Sequence, residues 1–534
     1  MQHANEGLSR VLAYIGLSFA EIKGKVPTLA GLDKLTLDSR ITDQSTIFIA
    51  IHGEKQSGHA FIAQAAKMGC RVALVETKKT KENNWVELKR YARHSLLCIH
   101  VYALRTKLAD IAYCFYKLDE SSLPNVTAIT GTNGKTSVAS FIAQLSSLCK
   151  QKSASIGTLG VNIFTNGEQQ KLVDTINTTP DIISLVGTLS TLQQKGCQQL
   201  SLEASSHGLA QDRLDKLNVN CVVFTNLSQD HLDYHHTMDA YASAKRKLLN
   251  ASGVKLVILN ANDNESKNWQ AQCNDNLSVF WYSLDQLDEN YMGCWASDIN
   301  YSTEGIEFTL NAKFSTYAQS CRINVAVIGA FNVANLLASI TALLAQSFSF
   351  VDIKNALSHL HSVAGRMELF KSDKGSLLVD YAHTPDALRQ ALSAARIHTK
   401  GLLSCVFGCG GDRDISKRAI MGEIAVQYAD NIVLTQDNSR SEDPMHIIAD
   451  IKKGMGALTT RQKLHVELDR EQALLHAWQQ STKNDMIVVA GKGHEDYIEI
   501  NNTRIAYNER QVVATLASRN IASVNFLQTQ GGDE

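Results

Sequence analysis

Short apolar runs, each stopping at a polar, glycine-containing cluster, recur along this chain of 534 residues. In the last third the runs at 377–379, 402–407, 432–434 and 486–490 lead into Asp380-Tyr381-Ala382-His383-Thr384-Pro385-Asp386, Gly408-Cys409-Gly410-Gly411-Asp412-Arg413-Asp414, Gln436-Asp437-Asn438-Ser439-Arg440 and Gly491-Lys492-Gly493-His494-Glu495. Runs this short and uniformly apolar predict strands buried on both faces, and their alternation with helical patterns predicts a parallel, doubly wound α/β sheet. Ligands bind such sheets beyond the carboxyl ends of the strands. One polar cluster after a strand is usually a capped turn, but four at equivalent places predict a site.

The middle third repeats the pattern. After the run at 200–202 comes Glu203-Ala204-Ser205-Ser206-His207-Gly208, and after 221–224 come Thr225-Asn226 and then Asp230-His231-Leu232-Asp233-Tyr234-His235-His236. Oxygen donors with one imidazole suit magnesium or manganese better than zinc, which favours several His or Cys ligands. Glu203 and His231 are the candidate ligands, whereas His235 and His236 read individually as capping or surface groups. Lys245 lies in the helical pattern 241–249 and, taken alone, reads as a solvated lysine.

The most specific local signal is Gly131-Thr132-Asn133-Gly134-Lys135-Thr136-Ser137. It sits between the apolar run 126–130 and a helical pattern with Val138, Phe141, Ile142, Leu145 and Leu148 on one face. A strand, a glycine loop and a helix N-terminus aim backbone N–H groups at a phosphate chain. Lys135 adds charge, and the Thr136 hydroxyl is available to a magnesium ion. The usual P-loop would have its first glycine at position 129, where this chain has Ile129. Only Thr132 and Asn133 separate Gly131 from Gly134, so this is a shortened variant, and ATP is the expected ligand.

Composition limits the alternatives. The chain is 44% hydrophobic and 20% charged, and 52 basic against 53 acidic residues give a formal charge of -1. That balance supplies no general attraction to nucleic acid or anionic membrane. The first ten residues lack a basic stretch followed by an apolar core, and no apolar run reaches the roughly 18 residues needed to cross a bilayer. A cytoplasmic protein is expected, with no membrane insertion and no nucleic-acid partner. The 11 cysteines are scattered without a C-x-x-C pair and read as reduced, mostly buried thiols. Boundaries follow from pattern, giving residues 1–103 as a smaller α/β unit, 104–362 as a central nucleotide-binding unit and 363–534 as the doubly wound unit. A helical stretch at about 102–118 and a long apolar helix ending near Ala345 belong to the central unit.

Seven ordered motifs resemble the Mur ligases: the glycine loop, Glu203 to Gly208, Asn226 with Asp230 to His235, Gly329-Ala330-Phe331-Asn332, Gly365-Arg366-Met367-Glu368, Asp380 to Asp386 and Gly491 to Glu495. The resemblance spans about residues 36–509. It implies an ATP-dependent amide-forming ligase of peptidoglycan precursor synthesis. More narrowly, it points to the branch joining meso-2,6-diaminopimelate to UDP-N-acetylmuramoyl-L-alanyl-D-glutamate through an acyl phosphate.

By the family pattern Gly131 to Ser137, Asn332, Arg366 and Asp380 contact ATP. Magnesium is held by Thr136, Glu203 and His231, together with Lys245 once carbon dioxide has carbamylated it. An unmodified ammonium beside a cation would be repelled by roughly 4 kcal/mol at about 4 Å and an effective dielectric near 20. Lys135, Glu203, His231 and Lys245 are the implied catalytic set. Leu37, Ser39 and the loop at Glu54 to Gln56 are assigned to the uridine end. Asn177, Thr178, Thr179, Ser205, Gln211 and Arg213 are assigned to the muramoyl dipeptide and its phosphates. Arg413, Asp437, Asn438, Ser439, Arg440, Gly491 and Glu495 would hold diaminopimelate, whose additional carboxylate a planar guanidinium reads through paired hydrogen bonds. The family signature there is Asp-Asn-Pro-Arg, and this chain has Ser439 at the proline position. L-lysine as substrate, a folylpolyglutamate-synthase-like ligase and a non-catalytic P-loop regulator are the alternatives. Small-molecule substrates and a monomeric chain are expected.

Overall fold

A computed structural model describes residues 6–22, 29–53, 56–78, 84–91 and 94–518. Of the loop expected at the uridine end, Glu54 and Lys55 lie outside the described residues. The chain forms two compact units, one of residues 1–130, 150–222 and 229–255 and the other of residues 131–149, 223–228 and 256–534. No helix among the described residues is long and apolar enough to cross a membrane.

In the first unit, strands Lys34–Thr36, Thr46–Ala50, Val72–Thr77 and His94–Tyr102 pair in parallel in that order, and Trp85–Tyr91 adds an antiparallel edge. Leu8, Val11, Leu12, Ile47, Ile99, Ile111 and Phe115 share its core. The helical pattern at 102–118 resolves into a 3-10 turn, Leu104–Lys107, and an α-helix, Leu108–Tyr116. Lys117, with φ 48°, ends that helix in the left-handed region. Strands Asn125–Thr130, Gln199–Glu203 and Ser153–Gly157 pair in parallel, and Gly160–Thr165 and Glu168–Val173 continue antiparallel.

In the second unit, parallel strands Leu256–Asn260, Ser278–Ser283 and Gly293–Ser302 run on into the antiparallel pair Gly305–Phe314 and Tyr317–Val325. The other sheet of this unit carries the four apolar runs. Its order is Glu368–Ser372, Gly375–Asp380, Met486–Ala490, Leu403–Phe407, Asn431–Leu434 and Lys463–Val466, parallel except for the first strand. Every residue of Met486–Ala490 is buried, as a central strand covered on both faces requires. Pro385 opens the helix Pro385–His398 behind the N-cap Thr384, where its missing N–H costs nothing. The polar clusters after these strands therefore emerge on one sheet edge, as the pattern predicts. All 11 cysteines are free thiols and seven are buried.

Candidate functional site

Strand Asn125–Thr130 ends where the glycine loop begins, and the loop opens helix Lys135–Leu148. Glycine is required twice. Gly131 and Gly134 have φ of 150° and 84°, and a Cβ would lie 1.9 Å from Thr225 Oγ1 at the first and 2.4 Å from Asn335 Oδ1 at the second. The loop is tied to 225–228: Thr225 Oγ1 donates to the Asn133 carbonyl at 2.6 Å, Asn133 N to Asn226 Oδ1 at 3.0 Å, and Thr132 Oγ1 to the Ser228 carbonyl at 3.1 Å. Lys135 Nζ donates to the carbonyls of Gly131 (2.9 Å) and Thr132 (2.7 Å), so its ammonium lies over its own loop. Thr136 and Ser137 follow in the first helical turn.

A cavity of about 440 Å³ adjoins this loop. Asn133, Gly134, Ser137, Asn226, Tyr282, Phe331, Asn335, Arg366 and Asp380 are among its lining residues. Asn332 stands behind it. Buried and 4% exposed, it donates to the Ile328 carbonyl and accepts from Asn335 Nδ2 at 3.1 Å. Of the two, Asn335 is the one that lines the cavity, a residue the sequence reading missed although it lies one helical turn from Asn332. Asp380 accepts from Met367 N at 2.8 Å and Ala382 N at 2.9 Å. Burial raises its pKa, against the pull of those donors and of Arg366.

Glu203 ends its strand at 2% exposure, and Gly157 makes room for it, since a Cβ there would lie 2.0 Å from Glu203 Oε1. Thr158 donates to this carboxylate through N (2.9 Å) and Oγ1 (3.3 Å). Four residues on, the His207 ring lies 4.8 Å from His231, 4.2 Å from Tyr234 and 5.6 Å from His235. Burial and the neighbouring His231 lower the His207 pKa. His231 caps a short helix with φ 53° and is exposed. Lys245 is not solvated: it is 1% exposed, its ammonium 4.4 Å from the Tyr241 ring centroid. His235 is likewise buried, at 8%, because its ring packs against His207 and Tyr241, whereas His236 is exposed.

Among the described residues no three His, Cys, Asp or Glu side chains form a ready metal centre. In kind, the donors at Glu203 and His231 fit a hard cation, and the Gly157 cradle keeps the carboxylate in place. Lys245 becomes an oxygen donor only by modification.

Thr179, Ser205, Gln211 and Arg213 come together. Thr179 Oγ1 donates to the Glu203 carbonyl (2.7 Å) and accepts from Ser205 N (2.9 Å), and Ser205 caps the helix Ser206–Ala210. Arg213 donates to the Thr179 carbonyl at 2.7 Å and to Gln211 Oε1 at 2.7 Å. Thr178 meets Thr158 at 3.2 Å, and Asn177 is exposed. Leu37 and Ser39 lie on another element, after strand Lys34–Thr36, where Ser39 Oγ donates to Gln64 at 3.1 Å.

A second cavity, of about 670 Å³, opens at the edge of the doubly wound sheet. Its lining includes Tyr381, His383, Arg413, Lys417, Asp437, Asn438, Arg440, Gly491, Glu495 and Tyr497. All four polar clusters thus contribute to one cavity. Ser439, 1% exposed, stands behind the lining, and its hydroxyl has no hydrogen-bond partner. Two residues that hold lining side chains escaped the sequence reading: Lys492, inside the motif Gly491 to Glu495, whose ammonium lies 2.7 Å from Glu495 Oε2, and Glu499, whose Oε2 is 3.4 Å from Arg440 Nε and which had no signal.

Two family descriptions match the chain: Mur ligase middle domain over residues 129–343, and Mur ligase, glutamate ligase domain over 365–493. The UDP-N-acetylmuramoyl-L-alanyl-D-glutamate–2,6-diaminopimelate ligase of Haemophilus ducreyi is 36% identical over 523 residues, 96% of this chain and 100% of the relative. The Vibrio cholerae protein of that name is 39% identical over 493 residues, 92% and 95% of the two chains. A solved structure of UDP-N-acetylmuramoyl-L-alanyl-D-glutamate–2,6-diaminopimelate ligase is 32% identical, with a TM-score of 0.64 over 91% of this chain and 94% of that one. A crystal structure of MurF from Acinetobacter baumannii shares the fold, with a TM-score of 0.63 at 16% identity over 96% and 98% of the two chains.

Proposed function

The chain belongs to the Mur ligase family, and from that premise we propose that it joins 2,6-diaminopimelate to UDP-N-acetylmuramoyl-L-alanyl-D-glutamate, driven by ATP, in peptidoglycan precursor synthesis. The observation that carries the choice of amino acid is the second cavity, whose lining includes both Arg413 and Arg440 and the carboxylate-bearing Asp437 and Glu495. A diamino diacid needs acceptors for its ammonium groups and guanidinium donors for its carboxylates, and this lining has both.

The D-glutamyl side-chain carboxylate attacks the γ-phosphorus of ATP, releasing ADP and leaving an acyl phosphate. An amine of diaminopimelate adds to that carbonyl, and the tetrahedral intermediate expels inorganic phosphate as the amide forms and a proton leaves. Phosphoryl transfer between anions demands charge neutralisation and in-line placement more than covalent help from the protein. Lys135 and the N–H groups of the glycine loop serve the phosphates, and Asn335, Arg366 and Asp380 line the nucleotide cavity. Thr179, Ser205, Gln211 and Arg213 hold the muramoyl dipeptide, with Leu37 and Ser39 at the uridine. Thr136, Glu203, His231 and a carbamylated Lys245 would hold magnesium, which would supply charge neutralisation. In this reading the enzyme is a cytoplasmic monomer with domains 1–103, 104–362 and 363–534.

Phosphate release from ATP, magnesium and the UDP-linked dipeptide tests the reading, comparing meso-diaminopimelate, L-lysine and no amino acid. Release that depends on diaminopimelate is expected. Equal release with lysine would keep the ligase and overturn the specificity, and release independent of both peptide and amino acid would indicate a nucleotide-hydrolysing regulator.

A further inference from the structure

We propose that Lys492 is a positioning residue that decides which oxygen of Glu495 and which face of the Asn438 amide meet the incoming amino acid, a role that deepens and rests on the ligase reading above. Lys492 follows strand Met486–Ala490, between Gly491 (φ 115°) and Gly493 (φ 51°). A Cβ on the first glycine would lie 2.5 Å from Asp437 Oδ2, and on the second 2.6 Å from Tyr381 Cβ. The chain therefore turns tightly on both sides of the lysine. Its side chain is fully buried, and its ammonium lies 2.7 Å from Glu495 Oε2, 2.8 Å from Asn438 Oδ1 and 3.7 Å from Asp437 Oδ1.

An ammonium has donors only, so the atom of Asn438 facing it must be the amide oxygen. That oxygen also accepts from Glu499 N at 2.8 Å, and the amide nitrogen is then turned to Glu495 Oε2 at 3.1 Å. Two donors thus hold Oε2. Among the described residues Oε1 has only the long 3.4 Å contact from the Tyr381 hydroxyl, which leaves Oε1 as the oxygen available to a ligand ammonium. Burying a lysine is costly unless it is paired, and here the pairing is with groups that line the amino-acid cavity. Without it Asn438 Oδ1 and Glu495 Oε2 each lose one of the two donors that hold them, which loosens the Asn438 amide and lets Glu495 rotate.

The test is steady-state phosphate release by the full chain, varying each substrate in turn for the wild type, Lys492→Gln, Lys492→Arg, Glu495→Gln and the Lys492→Gln/Glu495→Gln pair. Lys492→Gln should raise KM for diaminopimelate about tenfold or more while KM for ATP and for the UDP-linked dipeptide stays within about twofold. Lys492→Arg should recover part of that loss. In the Glu495→Gln background, Lys492→Gln should add less than about threefold, because its route of action is already gone. A folded Lys492→Gln whose diaminopimelate KM is within about threefold of wild type would overturn the proposal, as would an equal rise for all three substrates. If the single variant does not fold, the pair, which removes the lysine together with its partner, decides: a further rise of about tenfold over Glu495→Gln overturns it. A wild type without diaminopimelate-dependent release would instead overturn the ligase reading on which the proposal stands.

Discussion

Arg440 Nη1 donates to the Gly411 carbonyl at 2.7 Å, tying together the loops that follow neighbouring strands Asn431–Leu434 and Leu403–Phe407. Arg440 also has φ 51°, a left-handed conformation uncommon for a side chain of this size. Its backbone is clamped from the opposite direction: Arg440 N donates to the Glu499 carbonyl at 3.0 Å and Asn501 N to the Arg440 carbonyl at 2.6 Å. A residue held in a sparsely populated conformation by its surroundings, at the rim of a cavity, has the character of a functional position.

Arg440→Ala should therefore raise KM for diaminopimelate by roughly 30- to 150-fold, corresponding to about 2–3 kcal/mol for a charge-assisted contact in a partly exposed setting. KM for ATP should hardly move. Glu499→Gln, which weakens the grip on the guanidinium without touching the ligand, should cost about twofold to fivefold. Steady-state kinetics with each substrate varied checks both, and a rise below about threefold for Arg440→Ala would remove the arginine from the site.

Ser439→Pro should stabilise the protein. The Ser439 hydroxyl is buried without a partner, and among the described residues its N–H has no acceptor, so proline removes an orphaned polar group and restricts the unfolded chain. The expected gain is about 0.5–1 kcal/mol, seen as a higher Tm in calorimetry with diaminopimelate KM unchanged. A lower Tm would mean that the loop needs a backbone angle proline cannot adopt.

Gly157→Ala tests the carboxylate cradle. Its Cβ would meet Glu203 Oε1 at 2.0 Å, so the carboxylate must move or the strand ends must part. Overpacking of this kind costs about 1–3 kcal/mol. Phosphate release should fall much further than the modest drop in Tm would explain, and retention of full activity would show that Glu203 need not stay where it is.

His398 supplies a pH-dependent element. Its Nε2 accepts from Gly329 N at 2.9 Å and its Nδ1 faces the Ser302 carbonyl at 2.7 Å, an arrangement that only the neutral ring can make. Burial lowers its pKa below the ordinary value of 6.5, with the Ser302 carbonyl opposing. The stabilisation is therefore complete above about pH 6.5 and is lost progressively as pH falls toward the depressed value, because there the unfolded chain takes up a proton that the folded one refuses. Tm should drop between about pH 7 and 5, and His398→Gln, whose amide can accept and donate at the same places, should drop less over that interval. Parallel curves would show that other histidines dominate.

Local pattern alone determined much of this protein. The four strand-and-cluster units of the last third and the glycine loop with its helix were legible because each depends on residues close in sequence or on glycines with one backbone role, whereas the grouping of Thr179, Ser205, Gln211 and Arg213 was reached only through the family resemblance. Tertiary packing decided the rest. The helix Ala330–Ala345 presents Asn335 rather than Asn332 to the cavity because Asn332 is held by the Ile328 carbonyl. Lys245, His235 and Lys492 look like surface groups in isolation; Lys245 is buried over Tyr241 of its own helix, and His235 and Lys492 are buried where His207 and Asn438 arrive from other elements. The grip on Arg440 comes from the hairpin strand Tyr497–Ile500 and the turn residue Asn501 after it, far along the chain. Burial and partner choice are sums over distant elements, so a reading confined to near neighbours finds the site's motifs but not the residues that hold them in place.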